Sequence, residues 1–339
     1  MVGPNRSNFH YKIMQNQTIV GIDVGSATLD ICVSVGGVQK SALIKNETAA
    51  IRKFFDAYKK ECLWVGMENT GRYNWALYGV LGELHHRVYV IPPLHLKKSM
   101  GLARGKDDRT DAVRIAAFVG KNHGESPEWK PSPPAVQKLR VLLTERASRI
   151  KTRKRLRAQQ HDYPKMKHLG LDGPLLGLNR EHLLLVGSQI AAIENDIEAL
   201  VAAHVDMREQ ARLIRSVPGV GKVLSWMMLA KTENFTTITE PRKMACHSGV
   251  VPFPNRSGTS LRGRDRVSHY ADKTMKSILH LAAMSAIRLD NDLRLYYLRK
   301  VAEGKNKMSV LNAVRNKIVH RIFAVIKNQT PYVNLLLLS

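Results

Sequence analysis

Four carboxylates in the first third of the chain occupy positions where they could do chemistry. Asp23 lies within an apolar stretch, Glu68 closes a second one, and Asp108 and Asp111 open a predicted helix. A carboxylate inside an apolar strand is costly unless it is paired or bound to a metal ion. Because Asp108 and Asp111 share one helix face, both could reach the same ion. Oxygen ligands of this kind hold Mg²⁺ or Mn²⁺ for phosphoryl transfer, and we expect such a cofactor here.

The helical pair has a second interpretation. Asp107, Asp108 and Asp111 could be ordinary solvated residues at a helix N-terminus, where the helix dipole favours negative charge. The residue pattern alone leaves both readings open for this pair. Asp107 also makes the register ambiguous, and the spacing to Asp111 favours Asp108 as the ligand.

A loop late in the chain, PNRSGTSLRGRDR, carries a second kind of chemistry. Arginine clamps phosphate with two hydrogen bonds, and glycine lets the backbone approach closely. A serine held beside such groups, Ser257, could attack phosphorus and form a phosphoserine. The alternative is a basic loop that contacts DNA without reacting. Its predicted phosphate contacts are Arg256, Gly258, Ser260, Arg262 and Arg264.

The segment SVPGVGK resembles the second half of a helix-hairpin-helix motif. There, glycines free backbone N–H groups to approach DNA phosphates at a helix N-terminus. Gly219, Gly221 and Lys222 are the predicted contacts. A plain turn between two helices explains the same residues.

The overall charge predicts a polyanionic partner. The chain has 339 residues, and 53 Lys and Arg against 28 Asp and Glu give a formal net charge of +25. Such an excess favours nucleic acid. Further predicted phosphate contacts outside the loop and the turn are Arg104, Lys106, Arg153, Lys154, Arg155, Lys273 and Lys276. These contacts should weaken steeply with salt.

Other classes of protein fit the composition less well. No stretch approaches the ~20 apolar residues of a membrane-spanning helix, so we expect no membrane partner. The first residues lack the apolar core of a signal peptide, which predicts a cytoplasmic protein. Cys32, Cys62 and Cys246 have no paired spacing, which argues against a disulfide framework or a zinc site.

The elements that must position the carboxylates form a predicted α/β domain. Residues 18–34 alternate apolar and polar side chains around glycine turns, as two strands of a ribonuclease-H-like sheet do. The order that follows is β-β-β-α-β-α-β-α. Its later elements are a strand in QKSALIKN, a helix over 48–60, a strand in CLWVGMEN, a helix over 75–85, a strand in RVYVIPP and a helix over 108–122.

The rest of the chain is predicted to be mainly helical. EWKPSPPAVQK is a proline-rich linker, and residues 136–160 and 181–213 form an antiparallel helical pair or coiled coil with HLGLDGPLLGLN as its turn. From Ile214, helices surround the serine loop. The predicted domains are 16–128 (catalytic), 129–207 (linker and coiled coil) and 208–339 (C-terminal domain).

The first strand has a rival interpretation. Actin-like ATPases and sugar kinases also open with a strand in which Asp precedes a glycine. They need a second Asp-x-Gly phosphate turn and a Gly-Gly adenosine motif much later in the chain. Neither motif is present, and the later part is helical and strongly basic. This favours metal-dependent nucleic-acid chemistry.

Five segments, taken in order, carry a resemblance to a known family. VGIDVGSATLD, MENTGRY, GLARGKDDRTDA, SVPGVGK and SGTSLRG resemble the DEDD transposases of bacterial insertion sequences. This is the family numbered one-ten with its eleven-eleven subgroup, to which Piv-type DNA invertases also belong. The resemblance implies a RuvC-like N-terminal domain with catalytic carboxylates at Asp23, Glu68, Asp108 and Asp111. It also implies a C-terminal transposase domain whose nucleophilic serine is Ser257.

The resemblance also implies partners. Members are recombinases guided by a structured bridge RNA that pairs with donor and target DNA. Their dimers assemble into tetramers in which one protomer's RuvC-like domain joins another's serine domain, and the coiled coil would serve this assembly. This chain departs from the family in HYADKTMKSIL, at Ala271 and at Lys276, where arginine is common. Lysine keeps the positive charge.

The predicted function is a DNA transposase or site-specific recombinase acting on double-stranded DNA. It would cleave and rejoin strands through a 5′-phosphoserine intermediate. Two alternatives remain at this point: a metal-dependent Holliday-junction nuclease of the RuvC type, and a non-catalytic nucleic-acid-binding scaffold.

Overall fold

The computed structural model describes residues 17–99, 108–257 and 261–334, apart from the side chains of residues 72, 255–257 and 261–265. The chain divides into two compact units, Met1–Pro131 and Ser132–Ser339. Among the described helices, none is both long and apolar enough to cross a membrane.

The first unit is built on a five-stranded sheet with the order β3-β2-β1-β4-β5. β2 runs antiparallel to β1 and β3, whereas β1, β4 and β5 are parallel to one another. This mixed order confirms the predicted ribonuclease-H-like sheet. The strands are β1 (Ile19–Val24), β2 (Thr28–Val35), β3 (Val38–Lys45), β4 (Trp64–Glu68) and β5 (Arg87–Ile91).

Four described helices surround this sheet: α1 (Thr48–Asp56), α2 (Trp75–Leu81), α3 (Pro93–Ser99) and α4 (Asp108–Asn122). The bounds of α4 match the prediction, while α1 and α2 end about one turn earlier than expected. The short helix α3 was not predicted. Its first residue is Pro93, and proline is well suited to the first position of a helix because that N–H has no intrahelical partner.

Helix α4 packs unusually close to β1 and β4. A Cβ atom built at Gly21 would lie 2.2 Å from the carbonyl oxygen of Ala112 and 2.4 Å from the nitrogen of Ala116. One built at Gly66 would lie 2.4 Å from a methyl carbon of Val119. Only glycine therefore permits this approach of helix backbone to strand backbone.

The second unit begins with two long helices, α5 (Pro134–Asp162) and α6 (Asp172–Ala203), which pack against each other. The predicted linker was therefore too long, because its last residues lie in α5. Pro134 is the first residue of that helix, where proline costs no hydrogen bond. The predicted turn was also too long, because residues 172–179 are already helical. Residues 163–169 form a 3-10 helix that ends at Gly170 with a φ of 67°.

The predicted helical stretch over 181–213 is interrupted. α6 ends at Ala203, and α7 (Val205–Ser216) starts after His204, whose φ of −111° and ψ of 110° are extended. The hydrophobic spacing continues across this break, which is why the sequence did not indicate it. The following helices of the C-terminal part are α8 (Lys222–Thr232), α9 (Pro241–His247), α10 (Lys273–Ala286), α11 (Asp292–Ala302) and α12 (Lys307–Asn328).

The predicted serine loop is a β-hairpin rather than a loop. β6 (Pro252–Ser257) pairs antiparallel with β7 (Leu261–Val267), with a register irregularity between Phe253 and Asn255. Three residues, 258–260, connect the strands. A three-residue connection that contains glycine is a common hairpin signal, but the lack of apolar alternation in these strands concealed it.

We predict opposite effects of alanine at two glycines of the first unit. Gly21→Ala should lower the free energy of unfolding by about 1–3 kcal/mol, because the new methyl group collides with α4. Gly79→Ala, at an exposed position of α2 with open space around it, should raise it by about 0.5–1 kcal/mol because alanine favours the helix. Urea denaturation of both variants checks this. Equal midpoints would contradict the close contact of α4.

Candidate active site

Asp23 lies half-buried near the end of β1, beside the end of β4. In the parallel pair of these strands Ile22 is opposite Met67, which places Asp23 next to Glu68 at the same sheet edge. The backbone N–H of Val24 donates a hydrogen bond of 3.1 Å to Asp23 Oδ1. The flanking residues of β1 are buried, so the strand fixes where this carboxylate stands.

The pKa of Asp23 reflects the groups that surround it. Burial, followed in order of size by the negative charges of Asp108, Asp111 and Glu68, raises its pKa from 3.8 to about 6, against the opposing hydrogen bond from Val24. The three carboxylates that act on Asp23 are those that the sequence singled out. The structure therefore places Asp108, Asp111 and Glu68 near enough to Asp23 for their charges to raise its pKa.

The two helical carboxylates stand on the first turn of α4. Asp108 is exposed, and half-buried Asp111 accepts a hydrogen bond of 2.8 Å from Arg114 Nη1. Their position also satisfies the interpretation as residues stabilised by the helix dipole. The two interpretations are compatible. The helix dipole stabilises Asp108 and Asp111 at the start of α4, and the close packing of α4 on β1 brings their negative charges near Asp23.

Two amide side chains that the sequence reasoning missed fix the loop after Glu68. Fully buried Asn74 donates to the Glu68 carbonyl oxygen at 2.9 Å and accepts from the N–H and the hydroxyl of Thr70. Asn46 donates to the carbonyl oxygens of Gly25 and Tyr73, both at 2.9 Å. Asparagine can do this because its amide both donates and accepts. The position of both asparagines in short turns was the sequence signal that could have indicated this role.

The donor chemistry of this site fits a hard divalent cation. Within the described residues, no group of three or more Asp, Glu, His or Cys side chains is close enough to hold an ion together. The charges of Asp108, Asp111 and Glu68 still add to the effect of burial in raising the pKa of Asp23, and a cation would relieve that repulsion. Ligands that are all carboxylate oxygens suit Mg²⁺ or Mn²⁺.

Several predicted contacts involve residues or side chains outside the part of the chain that the structure describes. Ser257 is the last residue of β6 and is paired with Leu261, but its side chain lies outside the description. The same holds for the side chains of Arg256, Arg262 and Arg264. Arg104, Lys106, Gly258 and Ser260 lie outside the described residues. All of these remain predictions.

The two glycines of the SVPGVGK turn have different surroundings. Gly219 has a φ of 81°, and a Cβ there would lie 2.3 Å from the carbonyl oxygen of Ala282 on α10. Packing therefore explains Gly219 without DNA. Gly221 is exposed with nothing near its Cβ position, and it precedes exposed Lys222 at the N-terminus of α8. This end of α8 remains accessible to a phosphate.

The remaining predicted cations have different surroundings. Lys154 and Arg155 on α5 are exposed, and Arg153 is half-buried. Lys273 is the exposed first residue of α10, whereas Lys276, one turn later, is half-buried.

Two family models match this chain. The DEDD model of IS110 elements, described as "Transposase", covers residues 20–163, and the model "Transposase IS116/IS110/IS902 family" covers residues 211–298. The chain belongs to the IS110 family of transposases. The resemblance stated from the sequence is thereby confirmed, and this IS110-family transposase is an enzyme that acts on DNA by strand cleavage and transfer.

Three named proteins are similar to parts or nearly all of the transposase. The pilin gene-inverting protein of Moraxella bovis is 22% identical over 94% of this chain and 98% of its own length. An uncharacterized 43.6 kDa protein of insertion element IS110 from Streptomyces coelicolor is 27% identical over 44% of this chain and 36% of its own. RuvC of T. thermophilus in complex with a Holliday junction substrate aligns with 34% of this chain and all of its own, with 18% identity and a TM-score of 0.26.

We predict that Asp23→Asn stabilises the metal-free protein. Because the folded-state pKa of Asp23 is raised, ionised Asp23 costs stability; the cost is absent below its ordinary pKa of 3.8 and is complete above about 6. In EDTA, the gain in melting temperature should therefore be larger at pH 7.5 than at pH 4.5. Asp56→Asn, at an exposed residue of the same unit, is the control. A loss of stability in Asp23→Asn at pH 7.5 would refute the clustering of charges.

Proposed function

We propose that this transposase cleaves and rejoins DNA strands through a 5′-phosphoserine intermediate. In this proposal Asp23, Glu68, Asp108 and Asp111 hold Mg²⁺ or Mn²⁺, and Ser257 is the nucleophile. The observation that supports it most is the packing of α4 and β4 beside β1, which brings their carboxylates near enough to act on Asp23.

The acidic residues would have distinct duties. Bound divalent metal supplies positive charge to the attacking and leaving oxygens of phosphoryl transfer. Asp23 stands on β1, the central strand of the sheet, and is held at Oδ1 by the Val24 N–H. Glu68 is fixed through its own backbone by Asn74. Asp111 is oriented by Arg114, which leaves its second oxygen outside that ion pair.

The covalent step needs no energy source beyond DNA itself. The Ser257 oxygen forms a bond to phosphorus as the bond from phosphorus to the 3′ oxygen breaks. The proton lost by the serine is balanced by the proton gained by the departing 3′ oxygen, which leaves as a hydroxyl. Attack by a 3′ hydroxyl on the phosphoserine then rejoins a strand and restores the serine. Because one phosphodiester is exchanged for another, no ATP is required.

The basic surfaces would hold nucleic acid. The formal charge of +25 provides a large electrostatic contribution to binding. In the second unit, Gly221 and Lys222 present the open end of α8, and Arg153, Lys154 and Arg155 lie along α5. We assign these groups to the backbones of donor and target double-stranded DNA and of a guide RNA, the bridge RNA that the family resemblance implies.

Assembly would use the outer face of α6. Val186, Ile190 and Ile197 are buried, whereas Leu178 and Leu185 are exposed seven residues apart, and exposed Leu171 lies seven residues earlier, directly before the helix. Seven-residue spacing of leucines is the pattern of a helix that pairs with another helix. We propose that the occupant is the same face of a second copy, giving a dimer that assembles into a tetramer.

We predict that Ser257→Ala abolishes a covalent protein–DNA adduct. The substrate is a nicked duplex bearing an element end, and the readout is a denaturing gel with labelled DNA. Asp108→Asn should also abolish the adduct while largely retaining DNA binding. Ser268→Ala, just after β7, is the matched control and should keep the adduct.

The alternatives give different results in this experiment. If Ser257→Ala still cuts DNA and no version forms an adduct, the enzyme is a hydrolytic nuclease. If Asp108→Asn leaves every activity unchanged, the carboxylates have no catalytic role.

We predict that charges on the outer face of α6 break the assembly. Leu178→Glu combined with Leu185→Glu should convert the protein to monomers, because paired glutamates repel across the interface. Light scattering after size-exclusion chromatography measures this. Leu281→Glu, on an equally exposed leucine of α10, should leave the oligomer intact. An unchanged mass in the double variant would contradict the proposed interface.

A further inference from the structure

Three basic side chains meet at the start of the β6–β7 hairpin. Arg315 on α12 is only 6% exposed. Its Nη2 donates to His280 Nδ1 on α10 at 2.7 Å, and its Nη1 donates to Asn312 Oδ1 at 3.4 Å. Its buried Nε has no hydrogen-bond partner among the described residues. Because arginine only donates, His280 accepts with Nδ1 and is neutral in this contact.

Lys276 completes the group from the neighbouring position on α10, one helical turn before His280. The charge of Arg315 acts on Lys276, and a Cβ built at Gly249 would lie 3.7 Å from Lys276 Cδ. Asn312 donates to the carbonyl oxygen of Val250 at 2.8 Å. These contacts tie the cations to residues 249 and 250, directly before the strand that ends at Ser257.

The charges of this group are not balanced within the described part of the chain. No described carboxylate lies within ion-pair distance of Arg315 or Lys276. Asp272, at the start of α10, is occupied by Lys231 at 2.8 Å and by the N–H of Met275. Burial, together with the charge of Arg315, lowers the pKa of both Lys276 and His280, and burial lowers the pKa of Arg315.

Such a group is expensive unless an anion completes it. Buried cations without a partner destabilise the fold, and a buried donor without an acceptor adds a further cost. A phosphate would satisfy the charge and accept from the arginine fork and the ammonium together. His280 would hold the guanidinium in place for that contact.

We propose that Arg315 and Lys276 form a phosphate-binding subsite for the DNA strand that lies on the β6–β7 hairpin, with His280 as a positioning residue. This deepens the proposed function and rests on it, because the subsite would anchor the strand at the base of the hairpin whose first strand ends at Ser257. It assigns Arg315 and His280 a role in binding that the sequence did not indicate.

The first test uses inorganic phosphate as the probe. At matched ionic strength, replacing chloride by phosphate should raise the melting temperature of the wild-type protein by about 2–4 °C. Lys276→Met should remove this response and, in chloride alone, should melt above the wild type, because it relieves repulsion with Arg315. Lys276→Arg should retain the phosphate response. If Lys276 has only a structural role, the result is the reverse: Lys276→Met melts below the wild type in chloride and keeps its response to phosphate.

The second test measures binding, so its failure is distinct from a failure of the cleavage chemistry. Lys276→Met should weaken affinity for an element-end duplex roughly tenfold and lower the slope of log affinity against log salt by about one. Lys327→Met removes an equal charge from an exposed site on α12 and should change neither. If structured RNA binding falls while duplex binding does not, the DNA assignment is wrong.

One further variant distinguishes an internal partner from a ligand. Asp265 lies on β7, and its side chain is outside the description. If Asp265→Asn creates a phosphate response that the wild type lacks, Asp265 is the counterion and the proposal fails. If wild type and Asp265→Asn respond alike, the subsite binds phosphate as proposed.

Discussion

The contact between helix α4 and strand β1 is the constraint on which the site depends. It exists because Gly21 carries no side chain where the helix backbone passes, and Gly66 on β4 carries none where the Val119 side chain packs. With any larger residue, α4 would move away from the sheet and would carry Asp108 and Asp111 with it. The negative potential at Asp23 would then fall, because Coulomb energy decreases with distance. The packing of two glycines therefore sets the electrostatics of carboxylates that are far apart in sequence.

The resulting proximity of negatively charged carboxylates lowers the stability of the metal-free fold. The cost is opposed by groups that hold each carboxylate in place: the Val24 N–H at Asp23, Arg114 at Asp111, and Asn74 behind Glu68. None of these partners neutralises the set. Metal-dependent phosphoryl transfer uses acidic side chains of this kind, and a bound cation would draw them together and offset their mutual repulsion. The Arg315 group in the second unit is the complementary case, with cations that have no ion-pair partner among the described side chains.

Local patterns explain which features the sequence could predict. The alternation in residues 18–34 and the apolar run before Glu68 are properties of single strands, so the sheet and its carboxylates were predictable. The β6–β7 hairpin was missed because its strands are polar, and the break at His204 was missed because the apolar spacing continues through it. Gly219 was assigned to DNA, but its neighbours on α10 are distant in sequence. The asparagines Asn46 and Asn74 left only the weak signal of lying in short turns, whereas Arg315 contacts His280, which is distant in sequence, and left no local pattern.

The convergence of the four carboxylates can be measured directly by a carbon-13 NMR titration of Asp23 in metal-free protein. In the wild type, the pKa of Asp23 should be about 6. In Asp108→Asn combined with Asp111→Asn it should fall toward its ordinary value, because two of the negative charges that raise it are gone. An Asp23 pKa that is the same in both proteins would show that α4 does not deliver its carboxylates to β1, and the account of the site would be wrong.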